Sequence, residues 1–407
     1  MKLIWVKAGG LVPPDAGGRI RSYHILRELA KKHAVTLFTF YPAHPNDLHP
    51  GLEGIFERVI TCPLPVPADR GARQLLNYLG HFPSGRPFTV SKHCHPQVAD
   101  ALRQALARDS YDLILCDFVF SGGVIPWDAL CPKVVFTHNV EALIWHRNFQ
   151  VAGNPAWKLV SWIEYKRVER FERLCLEKAD HVITVSEADR QAFSAFLDPR
   201  KITAIPTGVD TEYFRPSPSS ERRNTIVFTG SMDWMPNEDA MLYFANEILP
   251  TLRKLVPDVT IAIVGRNPSR RLRELGRERG MEITGRVEDI RPHAHRAAVY
   301  VVPLRVGGGT RLKIFEAMAM GKAVVSTTVG AEGLPVTNGK DILLADDPKD
   351  FASSVAGLLR NDDDRRRLGR AARDLVAQRY GWASVAAAFE EILERVVRRQ
   401  NLAVSCT

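Results

Sequence analysis

The chain has 407 residues, 45% of them hydrophobic and 25% charged, an ordinary globular composition with length for two or three domains. Its net charge of +9 suits an anionic partner such as a nucleotide diphosphate or a membrane surface. The positive charge is spread over both halves, with no basic arm, RNA-binding aromatic signature or zinc-finger spacing, so nucleic acid is not an expected partner.

The first half alternates strand-like and helix-like segments. Leu3–Val6 reads as a buried strand, followed by a glycine loop ending in Gly17-Gly18. Arg19–Lys32 reads as a helix, because Ile20, Tyr23, Leu26, Leu29 and Ala30 recur at helical spacing. Val35–Phe40, Leu113–Cys116, Val134–Thr137, Val182–Val185 and Ile202–Ile205 are short apolar runs of strand character. Pro96–Ala107 and Ala156–Lys178 are the helices between them. A polar, proline-rich linker spans 216–223, and the pattern then restarts. Strands are expected at Thr225–Gly230, Val259–Val264, Val299–Pro303, Ala323–Ser326 and Ile342–Leu344, with helices at Asn237–Leu255 and Thr310–Met320 and closing helices at 348–360, 363–379 and 382–399.

Repeated strand, crossover helix, strand means an α/β chain with two Rossmann-like, doubly wound parallel sheets. The expected division is 1–215 for the first domain, 216–380 for the second, and 381–407 for a closing helix free to pack back on the first. Ligands of such sheets bind beyond the carboxyl ends of the strands, so two domains facing across a cleft would enclose a small-molecule site.

The six cysteines show no CxxC pairing and fit free thiols, while His93-Cys94-His95 lacks further ligands at usable spacing, so no metal site is expected. The N-terminal apolar run is too short for a signal segment. No stretch approaches the roughly 20 residues that span a bilayer, so a cytoplasmic protein is expected, with at most peripheral contact at the inner face of the cell membrane.

The most informative stretch runs from Pro303 to Ser326: a strand, then Gly307-Gly308-Gly309-Thr310-Arg311, then a helix carrying Lys313 and Glu316, then another strand. Glycines at a helix start admit an anion to free backbone N–H groups, where the helix dipole also favours phosphate. Glu316 lies on the same helical face as Lys313 and could take two ribose hydroxyls while the helix start holds a diphosphate. Read alone, the glycines are only a flexible turn and Lys313–Glu316 a surface pair.

This string resembles the donor-binding motif of glycosyltransferase family 4, the retaining two-Rossmann-domain (GT-B) type. The similarity also takes in Gly17-Gly18, Thr137-His138-Asn139-Val140-Glu141, Ile205-Pro206-Thr207-Gly208-Val209-Asp210, Phe228-Thr229-Gly230-Ser231 with Pro236-Asn237, and Val264-Gly265 with Gly285-Arg286-Val287. Some segments resemble sugar transferases of bacterial exopolysaccharide loci.

The resemblance implies transfer of a hexose-type sugar from a nucleotide-sugar donor to a glycan or lipid-linked acceptor, without metal or other cofactor. It implies that Gly17, Gly18, Gly308, Gly309, Thr310, Arg311 and Lys313 hold the diphosphate, although Gly17-Gly18 equally fits a helix-entry turn. Glu316 would take the ribose, with Gly265, Arg266 and Val287 around the base. His138, Glu141, Gly307 and Gly308 would meet the sugar, Glu141 alternatively favouring a helix start. His138, Glu316 and Arg311 would be the catalytic set. Gly308 stands where many members carry a first glutamate. No basic pair follows Gly230, so Arg311 and Lys313 would supply charge there, and Asn237 is expected to cap its helix.

For the acceptor, residues 63–90 and Ala156–Lys178 combine basic and aromatic side chains that suit a lipid or lipid-linked molecule. The helix equally fits an ordinary amphipathic helix with an apolar stripe on the core. Two other functions stay open: an inactive nucleotide-sugar-binding homologue or partner subunit, and a GT-B nucleotide-sugar epimerase.

Overall fold

The computed structural model describes residues 1–14, 17–42, 52, 54–64, 78, 80–81, 84–151, 154–217, 221–306 and 312–405. The chain divides into two compact units, Met1–Pro206 with Val385–Thr407, and Thr207–Ser384.

The first unit runs β1 (Lys2–Ala8), α1 (Gly17–Leu29), β2 (Ala34–Pro42), β3 (Arg58–Leu64), α2 (Phe88–His93), α3 (Pro96–Arg108), β4 (Leu113–Asp117), β5 (Lys133–Phe136), α4 (Glu141–Val151), α5 (Pro155–Lys178), β6 (His181–Thr184), α6 (Glu187–Ser194) and β7 (Ile202–Ala204). The second runs β8 (Thr225–Thr229), α7 (Met235–Tyr243), α8 (Leu249–Leu255), β9 (Thr260–Val264), α9 (Arg270–Glu278), β10 (Glu282–Gly285), α10 (Arg291–Arg296), β11 (Val299–Val302), α11 (Leu312–Ala319), β12 (Ala323–Ser326), β13 (Leu343–Leu344), α12 (Pro348–Arg360) and α13 (Asp362–Arg379). The closing helix α14 (Trp382–Ser405) begins in the second unit and continues into the first.

Both sheets are wholly parallel. Their orders are β3-β2-β1-β4-β5-β6-β7 and β10-β9-β8-β11-β12-β13. In each, the strand order reverses once, between β1 and β4 and between β8 and β11. Crevices for ligands open at such reversals, beyond the strand carboxyl ends. The central strands are buried on both faces, with Leu3–Val6, Ile114–Cys116, Ile226–Phe228 and Val299–Val302 all at or near zero exposure. That burial explains why they read as continuous apolar runs rather than alternating ones.

Two strands escaped the sequence pattern. β3 is an edge strand in which only Leu64 is buried, so it carries Arg58, Thr61 and Pro63 without penalty. β10 is four residues long and none is fully buried. The single helix expected over Asn237–Leu255 is instead α7 and α8 joined by a π-turn at Phe244–Ile248. Pro250 is the cause we assign, since it lacks the N–H that a continuous α-helix needs and its ring crowds the preceding turn.

Aromatic packing ties α14 to the first unit. Phe389 stacks on Trp5 at 5.8 Å and meets Phe136 edge-on at 5.1 Å. Lys32 and His33 also bond to Glu390.

Candidate functional site

In the first unit, register alone brings three strand ends together. Lys7 of β1 pairs with Asp117 of β4, and Asp117 pairs with Phe136 of β5, two residues before His138. All three polar residues are buried to 2% exposure or less. Asp117 is the hub. Its Oδ1 meets His138 Nε2 at 2.7 Å. Its Oδ2 accepts from Ser22 Oγ at 2.6 Å, Trp5 Nε1 at 2.9 Å and Lys7 Nζ at 3.0 Å. Arg21 Nη1 lies 3.2 Å from His138 Nδ1 and 3.4 Å from the His138 carbonyl.

A guanidinium has no lone pair to offer, so Nδ1 must accept. His138 is therefore the Nε2–H tautomer and donates to Asp117. Burial pushes the His138 imidazole down to about 4, against the opposing pull of Asp117. Burial acts to raise the Asp117 carboxyl, yet Lys7, His138 and Ser22 together hold it well below the usual range. Burial also lowers Arg21 to about 10, still a cation at neutral pH. The node is thus two cations, one carboxylate and a neutral imidazole.

Phe118 lies flat on His138, with ring centroids 4.0 Å apart, from a backbone at φ +65°. A Cβ on Gly18 would stand 2.6 Å from that ring. Gly18 therefore has a packing reason of its own, and Gly17 opens α1. Glu141 begins α4, but Glu172 of α5 takes the N–H groups of that helix, from Glu141 at 2.9 Å and Ala142 at 3.3 Å. Burial pushes Glu141 up to about 7, against a hydrogen bond from Asn139, and Glu172 up to about 8.

Lys7, Arg21, Ser22, Asp117 and Glu172 were not singled out from the sequence. One signal was available: Lys7 and Asp117 are charges at the carboxyl ends of otherwise apolar parallel strands.

In the second unit, Gly307, Gly308, Gly309, Thr310 and Arg311 lie outside the described residues. The helix that follows is described. Lys313 Nζ donates to Asn237 Oδ1 at 2.6 Å and sits 4.2 Å above the Phe228 ring. A Cβ on Gly230 would stand 2.8 Å from that ammonium, so Lys313 brings its charge to the end of β8, where the basic pair is missing. Asn237 does not cap its helix. It lies inside α7, whose N-cap is Trp234, and its Nδ2 donates to the Ser231 carbonyl at 2.8 Å.

Glu316 is half-buried one turn beyond Lys313, with no hydrogen-bond partner among the described residues. Burial pushes its carboxyl up to about 7, with Lys313 pulling the other way.

Gly265 has φ +158°, and a Cβ there would fall 1.7 Å from the Gly230 carbonyl oxygen, so no side chain fits. Arg266 is turned to Ser231 Oγ at 2.7 Å and Asp233 at 4.0 Å. Val287 is half-buried against the core, just after Gly285 at φ +72°. Tyr300, buried within β11, bonds to Thr229 and feels the Glu316 charge.

For metals, His33, Glu390 and Glu394 are near enough to share an ion among the described residues, but Lys32 already neutralises Glu390 at 2.8 Å. Cys94, between His93 and His95, donates to the Phe120 carbonyl. Most of 65–83 lies outside the described residues, and with it most of the basic and aromatic 63–90 segment.

Family models divide the chain much as the sheets do. Residues 16–213 match Glycosyltransferase Family 4, and residues 223–361 match Glycosyl transferases group 1. The chain belongs to the family-4 glycosyltransferases. It is 32% identical over 203 residues to a phosphatidyl-myo-inositol mannosyltransferase of Mycolicibacterium smegmatis, covering 47% of this chain and 51% of that one. It therefore spans about half the length of that relative. It is 27% identical over 384 residues to D-inositol 3-phosphate glycosyltransferase 2 of Catenulispora acidiphila, covering 84% and 85% of the two chains. Among solved structures, Anabaena Alr3699/HepE in complex with UDP superposes with TM-score 0.68 at 16% identity, over 97% of this chain and 100% of that one. At that identity the likeness establishes the GT-B fold of this glycosyltransferase.

Proposed function

We propose that this glycosyltransferase moves a hexose-type sugar from a nucleotide-diphosphate sugar to a glycan or lipid-linked acceptor, with retention at the anomeric carbon and no metal, in synthesis of cell-surface polysaccharide or glycoconjugate. The observation that carries the reading is Glu316: a half-buried carboxyl lacking a hydrogen-bond partner among the described residues, one turn from a lysine that follows a triple-glycine loop. A ribose diol supplies the two donors such a carboxylate accepts. Gly308, Gly309, Thr310, Arg311 and Lys313 would hold the diphosphate at the start of α11. Gly17 and Gly18 would border it from the first unit, and Gly265, Arg266 and Val287 would border the base.

His138 and Glu141 would meet the sugar beside Gly307. The Nε2 atom of His138 is committed to Asp117, which leaves Nδ1, now facing Arg21, as the atom a sugar hydroxyl would take over. The leaving phosphate would accept the acceptor's proton on the same face. Catalysis is then positioning plus stabilisation of the departing diphosphate by Arg311 and Lys313. Contact with the inner membrane surface belongs to the same reading. It is supported by likeness to a phosphatidyl-myo-inositol mannosyltransferase and by exposed aromatic and basic residues. Among the described residues, no helix is long and apolar enough to cross a membrane.

The test is thermal stabilisation of the whole chain by a panel of nucleotide diphosphates and their sugars. A ligand at a hundred times its dissociation constant adds about 2.7 kcal/mol. One nucleotide family is expected to stabilise the wild type and much less Glu316→Ala. Stabilisation by none of them overturns the donor assignment.

A further inference from the structure

Helix α5 is amphipathic in the wrong sense at its start. Its buried positions are Ser161, Glu164, Val168, Glu172, Cys175 and Leu176, three of the six being polar. Pro155, Leu159, Trp162 and Lys166, spaced by four, three and four residues, form a single stripe and all are exposed. Leu159 is 59% exposed, Trp157 50% and Trp162 45%. Leu143 and Ile144 of the neighbouring α4 are exposed as well, and Trp145 packs against Trp157 at 6.3 Å, so both helices share one apolar surface. Among the described residues, five of the twelve exposed large hydrophobic residues lie in this short stretch. Single exposed apolar residues need no explanation, but a contiguous group does.

Between Ala142 and Ile163 the charge has one sign, and at the far end of the stripe Lys166 is paired with Glu169, an acid whose side chain is exposed, at 2.9 Å. No aspartate or glutamate occurs from Ala142 through Ile163, whereas Arg147 and Lys158 are exposed. Glu164, the next acid, is buried and paired with Arg167 at 3.1 Å. A second copy of the chain meeting this patch across a two-fold axis would set cations against the same cations. Tryptophans and leucines with lysine and arginine at their margin instead match the interface of an anionic bilayer. There indole rings sit at the headgroup level, and long cationic side chains reach the phosphates.

We propose that the α4–α5 surface built on Leu143, Ile144, Trp157, Leu159 and Trp162 rests on the anionic face of a phospholipid bilayer. The inference deepens the membrane contact proposed above and rests on that reading for its setting. Vesicle binding and nucleotide binding are therefore measured separately on the same protein.

The experiment is co-sedimentation of the whole chain with phosphatidylglycerol vesicles and with phosphatidylcholine vesicles, at low and high salt, for wild type, Trp162→Glu and Lys158→Glu. The wild type is expected to partition onto phosphatidylglycerol, far less onto phosphatidylcholine, and less as salt rises. Trp162→Glu is expected to weaken partitioning about tenfold or more, and Lys158→Glu several-fold. Because both side chains are exposed, their melting temperatures and nucleotide-induced shifts stay at wild-type values. No partitioning of the wild type overturns the proposal, as does equal partitioning of Trp162→Glu. Wild-type self-association that Trp162→Glu abolishes also overturns it, by assigning the patch to a second copy. In each case the nucleotide shift reports on the transferase reading independently.

Discussion

The two polar nodes of this glycosyltransferase are built on the same plan and held in opposite ways. Each sits beyond the carboxyl ends of a parallel sheet at its order reversal. Around Asp117, carboxylate, ammonium, indole, hydroxyl and imidazole all satisfy one another within about 3 Å. Around Glu316, one carboxyl is half-buried with no hydrogen-bond partner among the described residues, and three of the five residues before its helix are glycines. A satisfied buried network stiffens the scaffold, whereas an unsatisfied acceptor costs stability until a ligand satisfies it. On the proposed reading, the first node positions and the second recognises.

The hardest way to break the contrast is Asp117→Asn. It leaves Lys7 buried without its counter-charge, and a loss of about 3–5 kcal/mol is expected in denaturant unfolding. Glu316→Gln should leave folding intact or improve it, and an equal loss from both variants would erase the distinction.

Acid and base should then act on different nodes. Folding lowers His138 from its ordinary 6.5 to about 4, so the unfolded chain binds that proton more readily. Stability is therefore lost as pH falls from about 6.5 toward 4, by on the order of 3 kcal/mol from this group. Folding raises Glu316 from 4.5 to about 7, so its contribution is present below 4.5 and is lost as pH rises through about 7. Unfolding curves measured across pH for wild type and Glu316→Gln should show the variant losing only the upper limb.

Donor affinity sharpens the same comparison. Glu316→Ala is expected to weaken the stabilising nucleotide about 10- to 100-fold in titration calorimetry, the worth of hydrogen bonds to a charged group. Donor affinity in the wild type should rise with pH through about 7 as the carboxylate forms. The smallest effect on donor affinity is expected from Gly18→Ala. Its new methyl must displace the Phe118 ring from His138, at a cost of about 1–3 kcal/mol in thermal melting, with nucleotide affinity less affected.

The doubly wound fold was legible because central parallel strands must be apolar throughout and their crossover helices periodic. β3 and β10 were not, since an edge strand or a four-residue strand needs no such run. At the sites, motif residues could be named, but their partners could not. Nothing local in the sequence says that Lys7 and Asp117, more than a hundred residues apart, share a register, or that Lys313 reaches Asn237. Those contacts are consequences of strand order. Asn237 shows the converse error: a residue type favoured at helix caps was drawn inward by a distant lysine.

The closing helix has a consequence for synthesis on the ribosome. Residues 1–206 hold all seven strands of the first sheet, yet the rings of Trp5 and Phe136 are covered by Phe389, which is made nearly two hundred residues later. The first unit to emerge is therefore the last to be finished. While the second unit is still being translated, the first must persist with an apolar face exposed. It is in that interval, rather than in the completed protein, that the chain should depend most on chaperones.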